Sequence, residues 1–160
     1  MNRLNAREDA LVEEWKRCLG HAAENFVPDG VVCGETYEST WPRVVFLLKE
    51  VNDSSGGNWE LRQFLRSGGR WQTWNNVTRW TEGILALPKI RPWGNLETVD
   101  SNARIRALGK IAAVNVKKTP GGATANFDGM RGFARANRVF IRRQLELYRP
   151  NLVVGYPWSR

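Results

Sequence analysis

The sequence predicts an α/β fold: three layers, α/β/α, around a short and mainly parallel central sheet. Three observations predict it. Val44–Leu48, Ile111–Val114 and Leu152–Val154 are short unbroken apolar runs, the pattern of strands buried on both faces. Segments of helical spacing separate these runs, which is the alternation expected of a parallel sheet covered by helices. The first two runs end abruptly in polar residues, Lys49, Glu50, Asn52 and Asp53 after one and Asn115, Lys117, Lys118 and Thr119 after the other. Open α/β sheets bind ligands outside the carboxyl ends of their strands, so these two clusters mark the expected site.

Taken in order, residues 6–19 form an amphipathic helix with Leu11, Trp15, Cys18 and Leu19 on one face and Gly20 as its stop. His21, just past that stop, reads as a solvated helix-end residue rather than a catalytic one. Residues 26–42 are irregular, with a turn at Pro28-Asp-Gly30; Val31-Val-Cys33 is either a short extra strand or a packing patch. Strand one spans 43–49. A turn-rich loop covers 52–58, and a short helix over 59–66 ends at Gly68-Gly69.

The next helix, 70–85, carries Trp71, Trp74 and Trp80. Packing against the sheet is the first expectation for these rings, and stacking on a base the second. A helix over 102–108 precedes strand two, 111–116. One long helix covers 127–148, with Arg131, Arg135, Arg138, Arg142 and Arg143 outward. Such a run is first a solvated face and second a phosphate-tracking surface. Pro150 stops it before strand three, 151–155. That strand has central-strand composition with nothing packed after it, so the natural fold is expected to continue past Arg160. No linker or repeat divides the chain, and 160 residues suit a single domain.

The net charge of +8 favours a polyanionic partner, DNA before RNA. Cys18 and Cys33 are too few for a four-thiolate zinc or iron–sulfur site, and with one histidine no metal or cofactor is expected. Two cysteines without a disulfide framework, and no signal-peptide or membrane-length apolar run, place the chain in the cytoplasm. Composition is silent on oligomeric state.

The chemistry expected at the strand ends follows from residue type. Glu50 at the mouth of an apolar sheet can orient or deprotonate a water. The Asn115 amide offers one donor and one acceptor side, suited to reading a base edge. Asn52, Asp53, Lys117 and Lys118 surround them, the lysines as phosphate contacts, and Gly121-Gly122 permits close backbone approach. The structural alternative is that Glu50 merely pairs with a neighbouring lysine at the surface, for about 0–1 kcal/mol.

These residues resemble the uracil-DNA glycosylase superfamily. Val45-Phe-Leu-Leu-Lys-Glu-Val-Asn-Asp53 is similar to its first motif, a buried strand running into Gly-Glu-Ala-Pro-Gly. Ala113-Val-Asn-Val-Lys-Lys-Thr-Pro120 resembles its second conserved strand. Gln144-Leu-Glu-Leu-Tyr-Arg-Pro-Asn-Leu-Val-Val-Gly155 resembles the helix, turn and strand before its last motif. Gly69-Arg-Trp-Gln-Thr-Trp-Asn-Asn76 looks like a branch other than the well-studied enzymes. The resemblance spans about residues 43–155. It implies hydrolysis of the N-glycosidic bond of a damaged or deaminated base in DNA. Glu50 would position water, Asn115 would hold the base edge, and Trp59 or Trp71 would stack on the base. Lys49 replaces the motif's Gly, Asn52-Asp53 replaces Pro-Gly, and the family's His-Pro-Ser loop would fall beyond Arg160. Those departures leave two alternatives: a non-catalytic nucleic-acid-binding module, and an incomplete chain inactive alone.

Overall fold

A computed structural model describes residues 2–53, 56–57, 59–122 and 126–155. Four strands, β1 (Gly30–Val31), β2 (Val44–Leu48), β3 (Ile111–Asn115) and β4 (Leu152–Gly155), form one sheet in the order β1-β3-β2-β4. β2 lies parallel to both β3 and β4, while β1 runs antiparallel to β3. The sheet is therefore mixed. Among the described residues seven α-helices surround it: α1 (Arg3–Leu19), α2 (Gly34–Ser39), α3 (Leu61–Arg66), α4 (Trp71–Ala86), α5 (Ser101–Leu108), α6 (Phe127–Ala136) and α7 (Arg138–Tyr148).

Alternation along the strands divides the core. Val44, Phe46, Ile111 and Ala113 meet Leu61 and Leu65 of α3, Trp74 and Val77 of α4 and Leu108 of α5. Val45, Ala112 and Val114 face the other way, onto Leu4 of α1, Tyr37 of α2 and Tyr148 of α7. A third cluster joins α1 to the last helices, with Trp15 stacked on Phe140 at 5.2 Å. β2 thus exits into helices on one face and β3 into helices leading to the other. Adjacent strands with opposite exits make the crevice where an α/β sheet takes its ligand.

Several sequence expectations change here. The predicted single helix over 127–148 is two helices broken at Asn137, which leaves helical geometry at φ −108°, ψ 14°. Its side chain holds the break: Oδ1 accepts from Trp15 Nε1 at 2.7 Å and Nδ2 donates to the Phe133 carbonyl at 3.0 Å. The Val31 patch is a two-residue strand, and α2 occupies part of a segment expected to be irregular. β4 stands at the sheet edge among the described residues, with Leu152 and Val153 partly exposed. Ser54, Ser55 and Asn58 of the expected turn, and residues 156–160 after β4, lie outside the described residues.

Charge is buried where α1 crosses β1. Glu8 accepts from the Val31 N–H at 3.0 Å and from Arg62 at 2.6 Å, and the Tyr148 hydroxyl donates to it as well. Arg62 reaches over from α3 and also engages Asp9 and Glu60, so this cluster ties the two helical layers together around the β1 edge. Gly30 permits the approach. Its φ is 129°, and a Cβ there would collide with the Glu8 carboxylate and the Tyr148 hydroxyl. Gly30→Ala is expected to cost about 1–3 kcal/mol from overpacking alone, read as a lower urea midpoint.

Burial pushes the Glu8 carboxyl above its usual range, against the opposing pull of Arg62 and Tyr148. The native state then binds a proton that the unfolded chain has released. This contribution to stability is full below the unfolded value of 4.5 and is lost as pH rises through the folded value. Paired urea titrations of wild type and Glu8→Gln should show the wild-type advantage shrinking from below pH 4.5 toward neutrality. A difference that is flat or grows with pH contradicts that coupling.

Candidate functional site

The segments leaving β2 and β3 stay together beyond the sheet. Register pairs Leu48 with Asn115. Val116 N donates to Leu48 O at 2.9 Å, Lys117 N to Lys49 O at 3.0 Å, Gly121 N to Val51 O at 2.9 Å and Asp53 N to Gly121 O at 3.2 Å. Backbone hydrogen bonds therefore fix where side chains 49–53 and 115–121 stand. Residues 48–53 and Asn115 border a cleft of ≈ 1000 Å³ whose other walls come from α3, the start of α4 and Trp59.

Glu50 lies in this cleft with its side chain only 5% exposed. One carboxylate oxygen takes an ion pair from Lys117, which also donates to the Pro120 carbonyl at 3.3 Å. The other oxygen, Oε1, is buried without a hydrogen-bond partner among the described residues. The carboxylate packs flat on Gly121, where any Cβ would strike it. The alternative of a solvated surface ion pair is thereby replaced by a nearly buried one. A buried carboxylate oxygen without a donor is costly, and it is satisfied when a water or ligand donor sits beside it.

Asn115 is 2% exposed and lines the same cleft. Its backbone N–H donates to Asp29 Oδ2 at 2.7 Å, while its carboxamide has no hydrogen bond among the described residues. Asn52 and Asp53 also line the cleft, Asn52 through a parallel bridge to Gly121 and Asp53 by accepting from Trp59 Nε1 at 2.7 Å. Trp59 stands edge-on to Phe64, so this wall is aromatic. Lys49 sits with its ammonium 4.6 Å from the centre of the Phe127 ring.

Three of the residues expected at the site do not line the cleft: Lys117, whose ammonium is taken by Glu50 and the Pro120 carbonyl, Lys118 and Trp71. Lys118 is 1% exposed and points into the core on the α1/α7 side, where Nζ donates to both oxygens of Asp29 at 2.6 and 2.8 Å and to Gln144 at 2.9 Å. It is not placed to contact phosphate. Lys117 and Lys118 lie in the bend that follows β3, and their side chains part there, Lys117 to Glu50 and Lys118 to Asp29. Trp71 is 62% exposed and does not line the cleft; Trp59 and Trp74 do. Trp80 stacks on Phe46, with ring centres 6.3 Å apart.

The arginine face is largely self-satisfied. Arg142 pairs with Glu146 at 2.7 Å, Arg143 meets both oxygens of Glu14 at 2.6 and 2.7 Å, and Arg131 lies 3.7 Å from Asp128. Among the described residues, no group of three or more His, Cys, Asp or Glu is arranged to hold a metal ion. No helix there is long and apolar enough to cross a membrane. Comparison with protein-family models, curated proteins and solved structures finds no match for this chain.

Proposed function

We propose that this chain hydrolyses an N-glycosidic bond, acting on a base of DNA held in the cleft at the ends of β2 and β3. The observation that carries the reading is Glu50: a carboxylate anchored through one oxygen by Lys117, with the other oxygen buried and unpartnered. A water donating to Oε1 would be fixed in place without reorganisation. The water oxygen would add to the anomeric carbon as the C–N bond breaks, and the base would leave with the bonding electron pair. Glu50 would take the proton released by the water, and the base would be protonated from solvent. The Asn115 carboxamide, free within the cleft, suits the edge of the base, and Trp59 or Phe64 suits its face.

The test is base release from labelled oligonucleotides carrying uracil, hypoxanthine or oxidised bases, single- and double-stranded, with Glu50→Gln as control. Abasic product that disappears with Glu50→Gln is the expected result. Binding that weakens steeply with salt, with no product from wild type, would instead assign a binding module on the same scaffold.

A further inference from the structure

We infer that the end of this cleft formed by Arg70 and the first turn of α4 is a phosphate subsite. On that basis the ligand is a nucleotide rather than a base or a nucleoside. The inference rests on the proposed reading only in seating the base at Asn115. The charged groups of the lining are otherwise engaged. Glu50 is paired with Lys117, Glu60 with Arg62, Asp53 with the Trp59 indole, and Lys49 lies over Phe127. Arg70 is exposed to the cleft, and its guanidinium has no ion pair or hydrogen bond among the described residues.

The helix behind Arg70 is also uncapped. α4 is 16 residues long, its N-cap is Arg70 with no side-chain capping bond, and its first turn holds no acidic residue. The first intrahelical bond runs from Trp74 N to Arg70 O at 3.2 Å, so the N–H groups of Trp71, Gln72 and Thr73 lack intrahelical acceptors. Gly68 (φ 94°) and Gly69 (φ 61°) turn the chain into that helix, and a Cβ on Gly69 would strike the Trp74 ring. A helix start preceded by a glycine turn presents backbone donors and the positive end of the helix dipole to an anion, and an arginine fork matches a phosphate.

An independent observation supports a ligand in this cleft. At its inner end, Asn115 is 2% exposed with an unbonded carboxamide, and the nearly buried Glu50 has an unpartnered oxygen. The two ends differ in kind. The inner end is neutral amide plus compensated carboxylate, suited to a base. The outer end is cationic and rich in N–H donors. The volume of ≈ 1000 Å³ lies at the upper end for small-molecule pockets, about 300–1,000 Å³, and leaves room for sugar and phosphate beyond the base.

The experiment titrates wild type and Arg70→Gln with deoxyuridine and deoxyinosine, with their 5′-monophosphates, and with short single-stranded oligonucleotides containing the same bases. Calorimetry and quenching of tryptophan fluorescence report binding. A monophosphate should bind wild type about 10–100-fold tighter than its nucleoside, the range for a charge-assisted contact. Arg70→Gln should remove that preference while leaving nucleoside affinity and melting temperature unchanged. Equal affinity for nucleoside and monophosphate, or a preference that survives Arg70→Gln, overturns the subsite. If oligonucleotides bind tighter than the monophosphate, with the gain dependent on Arg70, the phosphate is that of a strand; if the monophosphate binds tightest, it is that of a free nucleotide. An Arg70-dependent preference without base release keeps the subsite and removes the hydrolase reading. Base release with no Arg70 effect does the reverse.

Discussion

Lys118→Met is expected to destabilise the protein by about 3–5 kcal/mol, the cost of leaving one member of a buried ion pair alone. Asp29 and Lys118 are both essentially inaccessible to solvent, and the ammonium is satisfied by two carboxylate oxygens and Gln144, with the Trp15 ring 5.1 Å away. Removing it leaves the Asp29 carboxylate, among the described residues, with the Asn115 N–H and Gln144 as donors. Asp29→Asn should cost a similar amount by stranding the ammonium. The double variant should recover much of the loss, because a buried pair is worth little net against an uncharged replacement. Urea denaturation of the three variants checks this. Single variants within about 1 kcal/mol of wild type would mean that the pair is hydrated in solution.

The pH dependence of that pair has a definite sign. Burial depresses the Lys118 ammonium below its ordinary value of 10.5, with Asp29 opposing. Between the lowered folded value and 10.5 the unfolded chain binds more protons, so this contribution to stability rises with pH through that window. Lys118→Met should abolish the rise. The coupling extends to the cleft, because the Asp29 carboxylate that holds Lys118 also accepts the backbone N–H of Asn115.

Lys118 also shows where sequence reasoning reached its limit. The lysine pair after β3 reads as one cationic cluster, yet the bend that follows the strand parts the two side chains. Neither lines the cleft: Lys117 is held by Glu50 and the Pro120 carbonyl, and Lys118 is buried on Asp29. Glu8 carries a readable signal, since it lies in the stripe Leu4, Leu11, Trp15 at helical spacing. Nothing in the sequence named Asp29 as its counterpart in the second pair, since Pro28-Asp-Gly30 reads as a turn. The long apolar strands β2 and β3 were legible because burial on both faces leaves unbroken runs. β1 was not, because two residues have no period. Asn137 breaks a helix whose apolar spacing continues across it, through a partner 122 residues away. The juxtaposition of Glu50 with Asn115 followed from strand adjacency alone, whereas Trp59 and Arg70 entered the cleft through the placement of α3 and α4, which no local pattern specifies.

For the proposed hydrolase, Glu50→Gln is expected to slow base release by about 10²–10⁴-fold while leaving ligand affinity nearly unchanged. The amide keeps the volume that packs on Gly121 and keeps an oxygen toward Lys117, so the fold is retained. What it loses is a carboxylate able to orient a water and accept its proton. Gly121→Ala separates position from charge. Its Cβ would occupy the place of the Glu50 carboxylate, so the group must move while its chemical identity is kept. Loss of turnover in both variants, with melting temperatures near wild type, would identify a carboxylate that works only at one location. A Gly121→Ala variant that retains full turnover would show that the charge is sufficient wherever it sits. Unchanged turnover in Glu50→Gln would remove Glu50 from the reaction and leave the cleft as a binding site.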